Sequence, residues 1–547
     1  MRCLTSDDPN APFYEAGKRG YFLARADGTI PEQGFHIPGK MFGLWFPPLR
    51  VMKDIWLEDL HGRKLRFSRF ETHMVGRKMV FTCGEKTVEV EVLFDKDAPI
   101  FFFSIQTSFP FYFGMRFDET PVWGSEKLGW QSYVPDLTVI EGGYEFKCKN
   151  IPRVYQIISN SRMLSVDVGT LMVEVRPPSM VIAIGEDFPG NLLERFENAK
   201  GKKRTYYESM NPEIGQDDSV FWSKNMLLDM YLETEAGRGI VAGHPEFPWW
   251  FGVDTFFTGL ALLKARMYEH LGDTLLTLME YANDQFIPHE IVSNGVNQGS
   301  KRPIETFMFV NISMRYVEAS GNIEFLKLHY DVMKRMFFLN MPRKGYPSGP
   351  GMVELSFMET EDVVTLDTVC AVYAAAHALK QGARMMGKKE DERTFEDVEK
   401  HVLLDLREWY DEENGVFFDV IRKGKGRFLG TFIQMFPLFF NMVDRDTAVK
   451  VLESLKKLGL VVKEGLKHSM LDSGINGFYS GKADKIWWVA NAILKKSCMQ
   501  YNLMCPEFLE ELYIRDLYNG MPGAIPEIVG EKAGCFAQAW STLFVLI

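Results

Sequence analysis

The spacing of apolar residues changes once along the chain, and this change constrains the fold more than any other feature. Within residues 1–190, short segments alternate apolar and polar residues, as in the KTVEVEVLF sequence of 86–94. A period of two residues is that of a half-buried β-strand. Residues 79–82 precede this segment with Gly84 between them, which predicts a hairpin. Many short strands with few helical segments predict an N-terminal antiparallel β-sandwich domain over 1–190.

Apolar residues recur at helical spacing in most of the sequence that follows. The polar segment 191–203 predicts a linking helix, and we assign 191–216 to a helical linker. Beyond the linker, residues 217–547 predict about twelve helices, among them 254–270, 273–286 and 362–386. The rest of the chain is therefore predicted to be one all-α domain.

The lengths of the connectors indicate how these helices are arranged. Short connectors, such as Leu271-Gly272, alternate with long ones. The long connectors are 233–253, 287–302, 341–361, 412–429, 460–483 and 520–535. Because consecutive helices run in opposite directions, all long connectors lie at the same end. This pattern predicts an α/α toroid, the (α/α)6 barrel. The alternative is an open solenoid, which would show a repeat of roughly 30–50 residues that we do not find.

Composition and charge exclude other classes of protein. A net charge of −11 repels phosphate backbones, so no nucleic-acid partner is expected. The first residues lack the apolar core of a secretory signal, and polar residues interrupt the most apolar stretch, 98–115, so no membrane association is expected. Seven cysteines at irregular spacing indicate reduced thiols and a cytoplasmic location. Exposed aromatic residues of the N-terminal domain could form an interface, so an oligomer is possible.

The most distinctive connector contains GHPEFPWWFGVDTFF at 243–257. Three aromatic residues are followed by a glycine and by Asp254, at the start of a predicted helix. Asp254 could simply cap that helix, because aspartate is a favoured N-cap residue. Alternatively, apolar surroundings raise the pKa of the Asp254 carboxyl, so that it can donate a proton near neutral pH. Asp254 is therefore a candidate general acid.

A second candidate carboxyl lies near the end of the sequence. Residues 520–531 read GMPGAIPEIVGE and lead into GCFAQAWS at 534–541. Pro526 and the glycines predict that Glu527 lies in an irregular loop rather than on a solvated helix face. An ordinary loop acid is the alternative, and Glu531 competes with Glu527 by composition alone.

Further polar and aromatic residues lie in the same connectors or in the first turns of the predicted helices. The polar ones are His289, Glu290, Asn294, Asn297, Glu305 and Asp367. Of these, we predict that Asn294, Asn297 and Asp367 contact ligand hydroxyl groups. Trp249, Trp250 and Trp540 could cover the C–H face of a sugar. Taken singly, each is more typical of a surface, cap or core position. No phosphate-loop, dinucleotide, serine-hydrolase or zinc-protease motif is present.

The two segments resemble the amylo-α-1,6-glucosidase region of glycogen debranching enzymes. PWWFGVDT at 248–255 is similar to the PWF…WGRDT stretch of that family, and 525–527 with 534–541 is similar to its PEL…GCPAQAWS ending. The weak similarity extends over about 220–547, and the N-terminal part resembles the β-sandwich that precedes such barrels. Val253 stands where the family has arginine and Phe536 where it has proline, which bears on sugar selectivity.

The resemblance implies an (α/α)6 barrel and an inverting, exo-acting glycoside hydrolase that cleaves α-glucosidic bonds in an oligosaccharide or glucan. Related glucoamylases share this architecture. Carried over to this chain, Asp254 is the general acid and Glu527 the general base, and no metal ion or organic cofactor is implied. Carboxyls of an inverting pair lie about 6.5–9.5 Å apart. Two alternatives stay open: a non-catalytic carbohydrate-binding protein on the same barrel, and an inverting sugar phosphorylase.

Overall fold

The structure is a computed structural model. It describes residues 2–188, 190–212, 217–298, 302–342, 345–352, 362–470, 485–530 and 534–547. The chain divides into two compact units. The first, here called the sheet unit, comprises Met1–Pro248, Val292–Val296 and Asp516–Ile525. The second, the helical unit, comprises Trp249–Ile291, Asn297–Arg515 and Pro526–Ile547.

Strands dominate the sheet unit. They are β1 Cys3–Ser6, β2 Pro12–Gly17, β3 Gly20–Arg25, β4 Gly43–Phe46, β5 Leu49–Glu58, β6 Arg66–His73, β7 Arg77–Cys83, β8 Lys86–Phe94, β9 Ile100–Thr107, β10 Phe111–Pro121, β11 Thr138–Ile140, β12 Gly143–Lys147, β13 Val154–Ser159, β14 Met163–Asp167, β15 Thr170–Val175, β16 Ser179–Gly185, β17 Tyr231–Thr234, β18 Gly237–Ile240 and β19 Gly243–His244. This unit also contains the helices α1 Leu192–Met210 and α2 Asp218–Asp229 and a 3₁₀ helix at Ser125–Leu128.

Two antiparallel sheets account for β1 to β16. One has nine strands in the order β1-β6-β7-β8-β9-β16-β13-β12-β11, and the other has seven in the order β14-β15-β10-β5-β4-β3-β2. The predicted hairpin is present: β7 pairs with β8, with Cys83 opposite Lys86. Gly84 opens the two-residue turn with a φ of +64°, a conformation that glycine adopts without strain.

Aromatic side chains fill the space between the two sheets. Phe22 of β3 packs against Phe101 of β9 with ring centroids 4.9 Å apart, and Phe103 of β9 packs against Phe113 of β10 at 5.0 Å. These rings belong to different sheets, and all four are fully buried. The alternation along each strand therefore builds one apolar layer between two sheets, the arrangement predicted for residues 1–190.

Helices follow the sheet unit for most of the remaining chain. They are α3 Gly252–Lys264, α4 Tyr268–Tyr281, α5 Pro303–Ser320, α6 Ile323–Asn340, α7 Leu366–Met385, α8 Lys389–Asp405, α9 Phe436–Phe439, α10 Arg445–Lys457, α11 Trp488–Tyr501, α12 Leu509–Asn519 and α13 Leu543–Leu546. Single 3₁₀ turns occupy Leu406–Trp409, Phe432–Met435 and Ala539–Thr542. No helix of the described residues is long and apolar enough to cross a membrane.

Short strands lie between these helices. They are β20 Trp250–Phe251, β21 Glu290–Ile291, β22 Asn297–Gln298, β23 Val363–Thr365, β24 Tyr410–Asp411, β25 Val416–Phe417, β26 Val420–Arg422, β27 Lys425–Arg427, β28 Val461–Val462, β29 Gly465–Leu466 and β30 Ala537–Gln538. Most of them fall in the connectors predicted to be long. The long connectors therefore have local structure of their own.

The odd-numbered helices of the helical unit contact one another in a cyclic order. α3 packs on α5, α5 on α7, α7 on α9, α9 on α11, α11 on α13, and α13 on α3. The even-numbered helices pack on members of this cycle: α4 on α3 and α5, α6 on α5 and α7, and α8 on α7. Burial follows the same division: α5 is buried nearly all round, whereas α8 buries only Phe395, Glu399 and Val402. A helix that is apolar all round needs neighbours on every side.

Some predicted helix boundaries are wrong. The break predicted at Leu271-Gly272 lies earlier, between Lys264 and Tyr268, where Arg266 has a φ of +58°. Gly272 lies inside α4, where a Cβ atom would approach the Tyr316 hydroxyl to 2.8 Å. The glycine is therefore present for close packing and not for helix termination. The helix predicted over 362–386 begins at Leu366, because 363–365 form β23.

Candidate active site

Asp254 lies in the first turn of α3, directly after the strand β20. β20 pairs with β21, and β21 pairs with β22, so a small antiparallel sheet supports the start of the helix. The N-cap residue is Phe251, whose side chain accepts no hydrogen bond from the helix. Asp254 is therefore not the cap of α3, and the capping alternative is excluded. As a whole residue, Asp254 is half-buried.

Three further carboxyls surround Asp254. Burial raises the pKa of the Asp254 carboxyl well above its usual range, and the charges of Glu305, Glu527 and Glu290 raise this pKa further, in that order. Gln538 donates a hydrogen bond from Nε2 to Asp254 Oδ1 at 3.1 Å. We call Asp254, Glu290, Glu305 and Glu527 the acid cluster. Crowded like charges disfavour ionisation of a further carboxyl, and a general acid must retain its proton.

Glu305 occupies the third position of α5, as Asp254 does in α3. Its side chain is fully buried, and His289 Nδ1 lies 2.6 Å from Glu305 Oε1. Gly252 makes room for it, since a Cβ atom there would lie 2.2 Å from Glu305 Oε2. That oxygen has no hydrogen-bond partner among the described residues. The glycine before Asp254 thus allows a second carboxyl to approach α3 closely.

Trp249 fixes the position of Glu290. The indole Nε1 of Trp249 donates to Glu290 Oε2 at 2.8 Å, and both side chains are buried. Trp250 is also fully buried, and its Nε1 has no partner among the residues that the structure describes. Neither indole has accessible surface in this structure, so neither can stack on a ligand without rearrangement. Trp249 instead orients one member of the acid cluster.

Glu527 lies in a loop, as its proline and glycine neighbours predict. Its backbone N–H donates to the carbonyl of Cys535 at 2.8 Å, and its own carbonyl accepts from the Trp488 N–H at 3.1 Å. The Cys535 N–H also donates to Glu527 Oε2, at 3.3 Å. The side chain is 1% exposed. These backbone bonds orient the carboxyl group. Glu531, its competitor in the sequence, lies outside the described residues.

Trp540 and Gln538 follow the Glu527 loop on neighbouring backbone. Trp540 packs against Trp487 with ring centroids 5.9 Å apart and retains a small exposed area of 7%. Trp540 Nε1 and Gln538 Oε1 are buried and have no hydrogen-bond partner within the described ranges. Buried polar atoms are nearly always satisfied in folded proteins. Unsatisfied polar atoms in the segment that contacts Asp254 through Gln538 are suited to water or to the hydroxyl groups of a ligand.

The three predicted hydroxyl contacts have different surroundings. Asn294 belongs to the sheet unit and donates from Nδ2 to Ser125 Oγ at 2.8 Å. Asn297 is exposed on β22. Asp367 is fully buried, and its two oxygens accept hydrogen bonds from the N–H groups of Met352 and Thr368. Asp367 therefore orders the backbone near the start of α7, and its oxygens are engaged by that backbone.

The structure thus brings Asp254 into electrostatic contact with Glu527, Glu305 and Glu290. Sequence patterns gave no catalytic role to Glu305, Glu290 or Gln538. The sequence did contain a signal for Glu305. Asp254 and Glu305 are each the third residue of a helix, and each of these helices follows a long connector. Gln538 lies inside the GCFAQAWS segment already singled out.

Comparison with known proteins identifies the fold but not a family. No family model matches the chain, and no curated protein matches its sequence. A crystal structure of a bacterial glucoamylase complexed with acarbose is similar in structure, with a TM-score of 0.69 over 99% of this chain and 93% of that one, at 11% identity. The chain therefore has a glucoamylase-like fold.

Two crystal structures from Thermus thermophilus also align with the chain. One is an uncharacterized conserved protein, with 13% identity and a TM-score of 0.44. The other is the GH63 mannosylglycerate hydrolase in complex with Tris, with 12% identity and a TM-score of 0.44. Each alignment covers 60% of this chain and 98% of the other.

Proposed function

We propose that the protein is an inverting, exo-acting glycoside hydrolase that cleaves α-glucosidic bonds. The observation that carries this proposal is the state of Asp254. Asp254 is a half-buried residue, and the pKa of its carboxyl is raised by burial and by Glu305, Glu527 and Glu290. A general acid in glycoside hydrolysis must hold its proton near neutral pH and still reach the substrate.

Asp254 is the general acid in this proposal, and Glu527 is the general base. Asp254 gives its proton to the glycosidic oxygen as the bond from that oxygen to the anomeric carbon breaks. Glu527 takes a proton from a water molecule, whose oxygen attacks the anomeric carbon from the opposite face. The products are a free alcohol and a sugar of inverted configuration. The support for Glu527 is its electrostatic contact with Asp254 and the Cys535 N–H that orients its carboxyl group.

The remaining residues of the site act on these two carboxyls or on the sugar. Gln538 holds Asp254 Oδ1, and Trp249 holds Glu290, so both are positioning residues. The unsatisfied Nε1 of Trp540 and Oε1 of Gln538 are suited to sugar hydroxyl groups. Trp540 also offers an aromatic surface. We assign no sugar contact to Trp249 or Trp250 in this conformation, because both are fully buried.

We further propose that the helical unit is a closed (α/α)6 barrel with the acid cluster at one end. The cyclic order of contacts from α3 through α13 and back to α3 supports closure. Asp254 and Glu305 both lie at the N-terminal ends of helices in this cycle. We retain the domain division 1–190, 191–216 and 217–547 as a prediction. The amylo-α-1,6-glucosidase type of substrate rests on the two sequence segments alone.

Product stereochemistry tests the proposed reaction. The full chain is incubated with a panel of α-linked di- and oligosaccharides, and the anomers are followed by proton NMR. We expect β-glucose to appear first, because inversion converts an α-linkage into a β-product. Early release of α-glucose would contradict an inverting pair. Turnover that requires inorganic phosphate would instead support a sugar phosphorylase, and saturable binding without turnover would support a carbohydrate-binding protein.

Two substitutions test the assigned residues. Asp254→Asn and Glu527→Gln should each lower kcat by about 10²–10⁴-fold, the usual contribution of a general acid or base. Asp331→Asn and Glu396→Gln are matched controls, since both acids lie exposed on other helices. Circular dichroism checks that each variant is folded. Wild-type turnover in either of the first two variants would remove the corresponding assignment.

A further inference from the structure

Three side chains with different metal-binding atoms meet at the edge of the nine-stranded sheet. β1 is the edge strand and pairs with β6, and this register sets Cys3 directly opposite His73. Glu71 precedes His73 by two residues on β6, so both point to the same face of the sheet. Cys3 Sγ lies 4.0 Å from His73 Nε2, and that nitrogen lies 3.2 Å from Glu71 Oε2.

These distances fit the requirements of one tetrahedral metal ion. The ligand atoms of Cys3, Glu71 and His73 all lie within 4.8 Å of one another, and no other group of three such side chains does so among the described residues. Zinc binds sulfur at about 2.3 Å and nitrogen or oxygen at about 2.0–2.2 Å, so tetrahedral ligands lie roughly 3.4–3.6 Å apart. Small side-chain movements would bring the three atoms to those separations.

We propose that Cys3, Glu71 and His73 form a zinc-binding site with three protein ligands, distinct from the acid cluster of the helical unit. A thiolate, an imidazole and a carboxylate are ligands that Zn²⁺ accepts, and Cys3 is exposed, which leaves a position for water. On binding, the Cys3 thiol proton passes to solvent, and His73 carries its ring proton on Nδ1. The thiolate and carboxylate then neutralise the two charges of the ion.

Two cations already lie near Glu71, and they limit the expected affinity. Arg69 Nε donates to Glu71 Oε1 at 2.7 Å, which leaves Oε2 directed to His73. Lys78 Nζ lies 3.9 Å from Glu71 Oε2 but 3.1 Å from Glu89 Oε2, so it has another carboxylate to pair with when an ion binds. No described group accepts a hydrogen bond from His73 Nδ1, so no such bond fixes the orientation of the imidazole ring toward a metal ion. We therefore expect weaker binding than at a four-ligand structural site.

The test uses Co²⁺ as a spectroscopic probe for Zn²⁺ in the full chain, reduced and freed of metal with a chelator under anaerobic conditions. We expect one equivalent of Co²⁺ to produce a sulfur-to-cobalt charge-transfer band, and Zn²⁺ to abolish it by displacement. Cys3→Ser should lose this band, and His73→Gln should weaken Co²⁺ binding at least tenfold. Cys83→Ser is the matched control, because Cys83 lies in β7 of the same sheet.

Thermal unfolding provides a second measurement. An ion that binds only the folded chain raises the melting temperature. Zn²⁺ should therefore raise Tm for the wild type and for Cys83→Ser, but not for Cys3→Ser. Equal metal-free melting temperatures would show that the variants fold. Absence of the cobalt band in the wild type, or an undiminished band or Tm shift in Cys3→Ser, would overturn the proposal.

Discussion

The sheet unit and the helical unit each bury a group of carboxyl side chains, and the two groups have different partners. In the sheet unit, Lys203 Nζ lies 2.5 Å from Glu15 Oε1, and Arg77 lies 2.9 Å from Asp229 Oδ2. We call Glu15, Arg77, Lys203 and Asp229 the ion network. All four side chains are buried, and their formal charges cancel.

The acid cluster of the helical unit has no such balance among its named partners. The groups that contact it are the indole of Trp249, the amide of Gln538, the backbone N–H of Cys535 and the imidazole of His289. Three of these partners are neutral donors, and none is a lysine or arginine. Burial is the first cause that raises the pKa of Asp254, and the neighbouring carboxyls raise it further.

The difference separates two uses of buried charge. Paired charges hold the surrounding structure in place, because removal of one partner leaves the other buried without compensation. A crowded group of carboxyls instead costs stability and keeps a proton available for transfer. Burial raises the pKa of Glu15 in the sheet unit as well, but Lys203 and Arg77 act against that rise. The acid cluster has no lysine or arginine among its named partners, and we therefore place the proposed chemistry in the helical unit.

Lys203→Met should produce a large loss of stability. It leaves Glu15 buried without the lysine, and loss of one member of a buried ion pair typically costs about 3–5 kcal/mol. Urea denaturation followed by circular dichroism measures the change in unfolding free energy. Lys202→Met is the matched control, because this exposed lysine precedes Lys203 on the same helix. A loss for Lys203→Met no larger than that for the control would show that the ion network contributes little.

Glycine substitutions in the two units should act in opposite directions. In Gly252→Ala, the new Cβ would lie 2.2 Å from Glu305 Oε2 and 2.9 Å from the Pro288 carbonyl, and such overpacking costs about 1–3 kcal/mol. Gly201→Ala in α1 meets nothing within 4 Å and should stabilise by about 0.5–1 kcal/mol. Thermal unfolding compares the two variants. A neutral Gly252→Ala would mean that Glu305 moves away easily.

The sequence predicted the type of most elements better than their limits. Alternating valine and acid residues at 86–94 specify a strand without help from the rest of the fold, and β8 occupies that range. The local sequence does not specify the end of α3 in this manner. Arg266 adopts a left-handed conformation that its residue type does not announce, and Gly272 was mistaken for a helix end because its packing partner Tyr316 is distant in sequence.

The candidate site was predictable only in part, for a related reason. Residue type and context singled out Asp254 and Glu527, since aromatic residues, prolines and glycines nearby carry local information. The roles of Glu305 and Gln538 depend on contacts across 51 and 284 positions of sequence, and no local pattern specifies such contacts. Burial of Trp249 and Trp250 depends likewise on tertiary packing, because an indole suits a core and a sugar site equally well.

Glu305→Gln should shift the pH dependence of activity without abolishing it. The Glu305 charge is the largest electrostatic contribution that raises the pKa of Asp254, so its removal lowers that pKa. The general acid then deprotonates at lower pH, and the alkaline limb of the kcat/KM profile should move to lower pH. Glu290→Gln should cause a smaller shift, since its contribution ranks below those of Glu305 and Glu527. If the alkaline limb in both variants stayed where it is in the control Glu396→Gln, the effect of Glu305 and Glu290 on the pKa of Asp254 would be contradicted.

The same chemical change, aspartate to asparagine, should have opposite effects on stability in the two units. Asp254 has a folded-state pKa above the ordinary value of 3.8, so the folded chain binds its proton more tightly than the unfolded chain does. Wild-type stability therefore falls relative to Asp254→Asn as the pH rises from about that value through the folded-state pKa. Near neutral pH, Asp254→Asn should therefore be the more stable of the two chains.

Asp229→Asn removes the nearer of the two carboxylates beside Arg77, since Glu15 Oε2 lies 3.4 Å from that arginine. It should instead lose up to about 3–5 kcal/mol near neutral pH. Urea unfolding of both variants at several pH values measures whether each substitution raises or lowers the free energy of unfolding. If Asp254→Asn is the less stable chain at neutral pH, ionised Asp254 is held by favourable partners as Asp229 is. The two groups of carboxyls would then serve the same structural purpose, and the raised proton affinity on which the general-acid assignment depends would be lost.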